Sequence, residues 1–213
     1  SPRMDRPPPV LAYHLIWTAY GWWLPNDPRG SMSRTIRNDI IVELGELHYG
    51  RKKVQPNSRE LKGFFHRARE VMKFALLEFS EAEIVALGGA VRDCVSKNRY
   101  TCYACAIMPD HVHVLIRRHR DRAEEMVGHL QDATRLLIQR DHAGRWCGSS
   151  QEAHPVWGGP GWKVFLDHPD DIRRTIRYIE SNPVKIRRPV QRWEFVAPYD
   201  GWPFAGRTPP PIG

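Results

Sequence analysis

The chain has 213 residues, which is enough for one substantial hydrophobic core and short for two full domains. Its hydrophobic share of 41% excludes a wholly disordered chain, and no apolar run reaches the roughly 18 to 20 residues of a membrane-spanning helix. Lys and Arg number 32 and Asp and Glu 24, and the resulting net charge of +8 favours either a polyanionic partner, nucleic acid first, or solubility alone.

Both ends of the chain are rich in proline. We expect residues 1–11 to form a disordered or extended N-terminal arm and residues 201–213 a Pro-rich C-terminal tail. The first three residues are typical of a tag remnant, so we expect the natural start at Met4. Four cysteines without an apolar leader favour a reducing, cytoplasmic setting.

The first half of the chain predicts one strand and one helix. Residues 13–23 are rich in aromatic side chains and predict a strand, which Pro, Asn, Asp and Gly residues then bring to an end. Residues 32–59 show no clear pattern and are interpreted as a loop or an insertion. Ser80 and Glu83 form a capping box, and apolar residues at helical spacing extend the helix to residue 98.

Residues 100–108 and 111–118 predict an antiparallel hairpin around a Pro-Asp turn. Side chains alternate along a strand, so Cys102 and Cys105 are expected on opposite faces of the first of these strands. That placement disfavours a zinc site at this CxxC pair.

The second half predicts a helix over residues 121–140, a short strand over 162–166 and a helix over 168–183 that stops at Pro183. The order is therefore strand, helix, strand, strand, helix, strand, helix. This order predicts an α+β fold, a ferredoxin-like antiparallel sheet with helices packed on one face.

Two histidines interrupt the apolar run of the second hairpin strand. Because strand side chains alternate, His111 and His113 share one face while Val112 and Val114 turn to the core. The two imidazoles would lie about 7 Å apart along the strand, a spacing that suits two ligands of one divalent ion. The alternative is a pair of exposed or hydrogen-bonded histidines in a polar patch, and a metal would also need a third ligand.

Tyr178 and Asn182 lie one turn apart on the last helix, beside a stripe of isoleucines expected to pack on the sheet. A tyrosine hydroxyl can attack phosphorus when a metal polarises the phosphate, and an asparagine carboxamide oxygen suits Mg²⁺ or Mn²⁺. The alternative is that Tyr178 packs at the core edge and Asn182 caps the helix.

Cations surround this helical face, and two more end the second hairpin strand. A run of charges is usually a solvated surface, but beside a candidate nucleophile for a phosphodiester these cations also suit phosphate contacts. The candidate DNA-binding residues are Arg117, Arg118, Arg173, Arg174, Arg177, Lys185, Arg187 and Arg188.

Two segments together resemble a known family. The sequence MPDHVHVLI and the downstream YIESNPVK resemble the histidine and tyrosine motifs of the single-tyrosine HUH transposases, most of all the branch of REP-associated tyrosine transposases. The resemblance covers residues 12–200, which we interpret as a single HUH-type catalytic domain. The chain departs from the family at Asp110, where relatives often have Asn, and at Glu180, where some have His.

The resemblance implies that Tyr178 is the nucleophile and that His111, His113 and Asn182 hold a divalent metal ion, Mg²⁺ or Mn²⁺. It implies cleavage and strand transfer of single-stranded DNA at hairpins, such as REP-like palindromes, through a 5′-phosphotyrosine link, by a transposase or a domesticated relative. The implied partner is single-stranded or hairpin DNA, bound by a nucleoid-associated monomer or homodimer. Aromatic residues such as Trp17, Tyr20, Trp22 or Trp23 could stack on unpaired bases, although packing in the core is the favoured role for most of the eight tryptophans.

Two other functions fit the same residues. A non-catalytic DNA-hairpin-binding protein would retain the fold without needing the histidines, the tyrosine and the asparagine together. A metal-dependent phosphohydrolase would use activated water and leave Tyr178 a structural role.

Overall fold

The computed structural model of the protein describes residues 8–22, 57–71, 76–141, 155–159 and 161–209. Within these ranges, no helix has both the length and the apolar character needed to cross a bilayer. The elements in chain order are β1 (Ala12–Thr18), α1 (Ser58–Val71), α2 (Glu81–Asn98), β2 (Cys102–Ile107), β3 (His111–Arg117), α3 (Ala123–Asp141), β4 (Trp162–Leu166) and α4 (Pro169–Lys185).

The four strands form one sheet in the order β2-β3-β1-β4, and every neighbouring pair is antiparallel. The ferredoxin-like fold has the element order strand, helix, strand, strand, helix, strand. This chain has that order, with α1 added after β1 and α4 added after β4. The predicted α+β class, with an antiparallel sheet and helices packed on it, is confirmed.

The helices cover both faces of the sheet, and the expectation of a single covered face is wrong. On one face, Trp17, Val112 and Val114 join buried residues of α2 and α3 in the larger core. On the other face, Leu115 joins the buried Ile172 of α4 in a smaller core, with the remaining members Leu11, Ala12, Tyr103, Ala104, Ala106, Leu166 and Ile179. The second core forms because the strands carry apolar residues on that face too.

The predicted capping box starts α2. The Glu83 amide donates to Ser80 Oγ at 3.3 Å, and the Ser80 amide donates to the Glu83 carboxylate at 2.7 Å. These two bonds satisfy amide groups that a helix start leaves without partners. The sequence signal and the structure therefore agree on the first residue of this helix.

Two boundaries in the first half differ from the prediction. Strand β1 ends at Thr18 rather than at residue 23, because the chain turns at Gly21, whose φ of 85° suits glycine. Helix α1 was not predicted. It starts at Ser58, so residues 58 and 59 are helical and do not belong to the loop predicted over residues 32–59. Residues 32–56 lie outside the described ranges.

Helix α4 does not stop at Pro183 but runs two residues further to Lys185. Proline removes a single amide donor, and at this position the loss falls in the last turn of the helix. The Pro183 carbonyl accepts the amides of Ile186 at 3.2 Å and of Arg188 at 2.9 Å, which closes the helix end.

The cysteines of the CxxC pair share one face of β2, contrary to the prediction. A bulge between Cys102 and Ala104 shifts the register, so Cys102 lies opposite Ile116 and Cys105 opposite Val114. Both partners face the larger core, and both thiols are buried there as free cysteines. A bulge inserts one extra residue into a strand and so shifts which side chains share a face. The amino-acid sequence around the two cysteines does not by itself reveal it.

The C-terminal segment, residues 186–204, covers the outer edge of β2. The Gln191 side chain accepts the Ile107 amide at 2.8 Å and donates to the Ile107 carbonyl at 2.7 Å. The Ala197 amide donates to the Cys102 carbonyl at 2.8 Å. The segment thus satisfies backbone groups at an otherwise open sheet edge, and it begins where α4 ends.

Candidate active site

Strand β3 presents both predicted histidines to the face covered by α4. Val112 and Val114 are buried in the larger core, so the alternation of the strand turns His111 and His113 to the opposite side. His113 is buried and His111 half-buried, and their ring centroids are 4.8 Å apart. The predicted shared face of the two imidazoles is present in the structure.

Each of these imidazoles uses its Nδ1 atom in a hydrogen bond. His111 Nδ1 lies 2.6 Å from Asp110 Oδ1, and His113 Nδ1 lies 2.9 Å from Nε2 of a third histidine, His14 of β1. Because a carboxylate only accepts, the His111 ring donates through Nδ1, and Nε2 is its remaining nitrogen. A histidine that ligates a metal through one nitrogen commonly engages the other in this way.

Burial keeps two of the three imidazoles neutral. Desolvation, together with the smaller effects of His111, His14 and Lys185 as nearby sources of positive charge, lowers the pKa of His113 to about 2. Burial also lowers the pKa of His14 to about 4. Neutral imidazole is the form that binds metal ions, so His113 is in a ligating protonation state at neutral pH.

Helix α4 brings Tyr178 to the histidines. The helix begins after the N-cap His168, with Pro169 in its first turn, and its buried Ile172 and Ile179 fix the face that packs on the sheet. The Tyr178 ring lies to the side of that face, with centroids 5.7 Å from His113 and 6.1 Å from His14. With 46% of its surface exposed, the phenol is accessible to a large substrate.

Asn182 lies one turn beyond Tyr178 and is buried. Its amide nitrogen Nδ2 has no hydrogen-bond partner among the described residues, which is uncommon for a buried amide. In the same ranges, no three His, Cys, Asp or Glu side chains are grouped to hold a metal ion. A metal held by His111 and His113 would need a further donor, and the carboxamide oxygen of Asn182 is of the type that suits a divalent ion such as Mg²⁺ or Mn²⁺.

Lys185, one of the predicted cations, lies over the ring of Tyr178. Its Nζ lies 4.3 Å from the centroid of the Tyr178 ring, on the ring face. A cation there attracts the π-electrons of the ring and favours a defined ring orientation. The last turn of α4 therefore both supplies the carboxamide and restrains the tyrosine.

The other predicted cations of α4 and its C-terminal end fall into two groups. Arg173 and Arg174 pair with Asp170 at 3.1 Å and Asp171 at 2.7 Å, within the same helix. Arg188 lies 2.6 Å from Glu81 of α2. The remaining two, Arg177 and Arg187, are exposed and have no ion-pair partner in the described part of the chain.

Arg117 and Arg118 are not brought to the site. They lie at the opposite end of β3 from His111, about 20 Å away at the usual rise of a strand. Their guanidinium carbons lie 4.0 Å and 5.4 Å from the Trp202 ring centroid. Any DNA contact they make would belong to a different part of the surface from Tyr178.

The aromatic residues proposed for base stacking have mixed positions. Trp17 is fully buried in the larger core, so it has the packing role favoured for most tryptophans and is not available to stack on bases. Tyr20 and Trp22 pack partly buried against the same core, and Trp23 lies outside the described residues. The aromatic side chains described in this segment pack against the larger core, which is the usual role of large hydrophobic rings.

His14 is the site residue that the sequence analysis missed. Alternation along β1 places His14 on the α4 face, since Leu15 and Trp17 face the larger core. The segment HLIWT therefore contained a signal, a histidine inside a buried strand. What the sequence lacks is the register that puts β1 beside β3, with Ile16 opposite His113.

No protein-family model matches the chain. No curated protein matches it either. Among solved structures, it is similar to a REP-associated tyrosine transposase bound to a REP hairpin, with 12% identity, coverage of 88% of this chain and 75% of that one, and a TM-score of 0.43. It is also similar to a protein from Deinococcus radiodurans R1 assigned as a transposase, with 15% identity, coverage of 85% and 95%, and a TM-score of 0.37.

Proposed function

We propose that this protein is a metal-dependent endonuclease and strand transferase for single-stranded DNA, with Tyr178 as its nucleophile. One observation carries the proposal: an accessible phenol lies beside His113, whose Nδ1 is engaged in a hydrogen bond and whose Nε2 is the nitrogen left for a ligand. The resemblance of the histidine and tyrosine segments to the single-tyrosine HUH transposases supports the same reading.

Three side chains would hold the ion, namely His111, His113 and Asn182. The Asp110 carboxylate orients the first imidazole, and burial keeps the second one neutral. A bound Mg²⁺ or Mn²⁺ would polarise the scissile phosphate and offset its developing negative charge. The protein's own contribution is to fix these ligands on a strand and a helix that pack tightly together.

Tyr178 would carry the covalent step. Its hydroxyl oxygen attacks phosphorus, the bond from phosphorus to the 3′ oxygen breaks, and the phenol proton ends on that leaving oxygen. The products are a 5′-phosphotyrosine link and a free 3′-hydroxyl. A second 3′-hydroxyl can then attack the link, which restores a phosphodiester and returns the proton to Tyr178, so strand transfer needs no external energy source.

The substrate we propose is hairpin DNA with a single-stranded flank, such as a REP-like palindrome. The cations Arg177, Lys185 and Arg187 lie on or just after the helix that carries the nucleophile and form no ion pair with the described carboxylates. They are thus free to contact phosphates of the flank. A transposase or a domesticated relative, acting as a monomer or a homodimer on nucleoid DNA, would have this activity.

The test is a denaturing gel of hairpin DNA labelled at its 3′ end, because the 5′-linked fragment keeps that end. With Mn²⁺ we expect a covalent protein–DNA band, which Tyr178→Phe abolishes and chelation prevents. Tyr13→Phe is the matched control and should retain the band, since Tyr13 packs against the larger core. Cleavage that survives Tyr178→Phe would favour activated water, and binding without cleavage would favour a hairpin-binding protein.

A further inference from the structure

A third histidine is built into the site. His14 is 6% exposed, its Nε2 lies 2.9 Å from His113 Nδ1, and the two rings stack with centroids 5.2 Å apart at an angle of 27°. Removing an imidazole from water is costly unless its polar atoms are bonded. A hydrogen bond to His113 offsets part of that cost, so the pair forms one polar unit inside the sheet-helix interface.

The backbone fixes this pair. His14 lies opposite Leu115 and His113 opposite Ile16 in the antiparallel register, so the two histidines are diagonal neighbours on one face. Diagonal neighbours on adjacent strands lie within reach of aromatic side chains. His14 therefore contacts His113 because of the sheet register and does not depend on a mobile loop.

One proton lies between the two rings, and its position decides what His113 can do. If His14 Nε2 donates, the neutral His113 ring carries its own proton on Nε2 and has no lone pair for a metal there. If His113 Nδ1 donates, Nε2 is a free ligand atom and His14 Nε2 is the acceptor. Only the second arrangement is compatible with His113 as a ligand through Nε2.

We propose that His14 is a positioning residue: its Nε2 accepts a hydrogen bond from the Nδ1–H group of His113, which fixes both the tautomer and the ring orientation that leave His113 Nε2 free for a metal. This inference rests on the proposed function, because it takes His113 as a ligand. His14 also contacts the nucleophile, since its ring is T-shaped against Tyr178 with centroids 6.1 Å apart. One side chain thus restrains a metal ligand and the phenol together.

The first test reads the tautomer in the wild-type protein. Long-range ¹H–¹⁵N spectra of the metal-free protein distinguish protonated from unprotonated imidazole nitrogens, and loss of a signal in His113→Gln assigns that signal to His113. We expect His113 to be protonated at Nδ1 and unprotonated at Nε2. A His113 ring protonated at Nε2 instead would overturn the inference whatever the variants do.

The second test is the affinity for Mn²⁺ alone, measured by electron paramagnetic resonance on folded variants. His14→Leu removes the acceptor and should weaken binding about 10- to 100-fold, the usual effect of losing such a partner. His14→Gln retains an oxygen acceptor and should remain much closer to the wild type. His66→Leu, on the exposed surface of α1, is the control and should bind as the wild type does.

The outcomes separate this inference from the function on which it rests. A wild-type protein that binds Mn²⁺ and a His14→Leu protein that binds it equally well overturn the inference alone. Equal weakening by Leu and Gln also overturns it, because that result indicates a packing role. A wild type that binds no Mn²⁺ overturns the proposed function and the inference together.

Discussion

The two faces of the sheet differ in what they bury. The face toward α2 and α3 buries Trp17, Val112 and Val114 among other apolar side chains. The face toward α4 has an apolar core at one end and, at the other, the imidazoles of His14 and His113. The same alternation of the same strands produces both surfaces.

This difference indicates how stability and chemistry are divided in the molecule. An apolar face gains free energy from burial, whereas a buried imidazole loses hydration and recovers only part of it through hydrogen bonds. The larger core therefore supplies the stability that allows polar groups to be held on the opposite face. Substitutions on the two faces test this division.

The largest effect is expected from a cavity in the apolar face. Trp17→Ala should lower the free energy of unfolding by about 3 to 5 kcal/mol, measured by urea denaturation, because a fully buried ring is lost. Tyr178→Phe on the other face should change it by less than about 0.5 kcal/mol, since the side chain is half exposed. Similar losses for the two variants would contradict the division.

Acid should weaken the α4 face first. The pKa of His14 is about 4 in the folded protein against an ordinary value of 6.5, so the unfolded chain binds more protons between these values. The associated stability is complete above pH 6.5 and is lost as the pH falls toward and through 4. Urea denaturation of the metal-free protein at pH 7 and pH 4.5 should show this loss.

The His14→Gln variant should reduce the acid-dependent loss of unfolding free energy by roughly 2 to 3 kcal/mol between those two pH values. The same substitution at His66 is the control, because it removes an exposed imidazole and leaves the buried pair intact. If His14→Gln and the wild type lose the same stability on acidification, His14 is not the depressed group.

A smaller effect is expected where the C-terminal segment meets the apolar face. A Cβ at Gly88 would lie 2.1 Å from the Trp193 ring, so Gly88→Ala should displace the segment and cost about 1 to 3 kcal/mol of unfolding free energy. Gly89→Ala is the matched control, because its nearest neighbour is 4.0 Å away, and the better helix propensity of alanine should stabilise α2 by up to about 1 kcal/mol. Thermal unfolding of both variants measures the difference, and a neutral Gly88→Ala would show that Trp193 is not held there.

The smallest effect concerns the cations of the α4 face. Arg177 has no described ion-pair partner, whereas Arg174 lies 2.7 Å from Asp171. If Arg177 contacts a phosphate, Arg177→Gln should reduce the slope of log affinity for hairpin DNA against log salt by about 1. Arg174→Gln should change the slope less. Equal changes for the two variants would contradict the proposal that Arg177 contacts a DNA phosphate.

Local patterns in the sequence were sufficient for much of the fold. Ser80 and Glu83 gave the start of α2, and residues 162–166 were predicted with the bounds that β4 has. The shared face of His111 and His113 also followed from alternation within one strand. In each case the information lies in residues close together in the chain.

The missing features depend on contacts between distant segments. The position of His14 beside His113 depends on the register of β1 against β3. The common face of Cys102 and Cys105 depends on a bulge in β2. Pairing between segments that are apart in sequence sets both features, so no pattern within one strand encodes them.

The most direct measurement is the mass of the covalent product. Trypsin cuts after Arg177 and Lys185, so the nucleophile falls in the peptide of residues 178–185, YIESNPVK. After reaction with hairpin DNA and Mn²⁺, we expect this peptide to carry nucleotides joined through a 5′-phosphate to Tyr178. Cleaved DNA with the peptide unmodified, or with the nucleotides on another residue, would contradict the account.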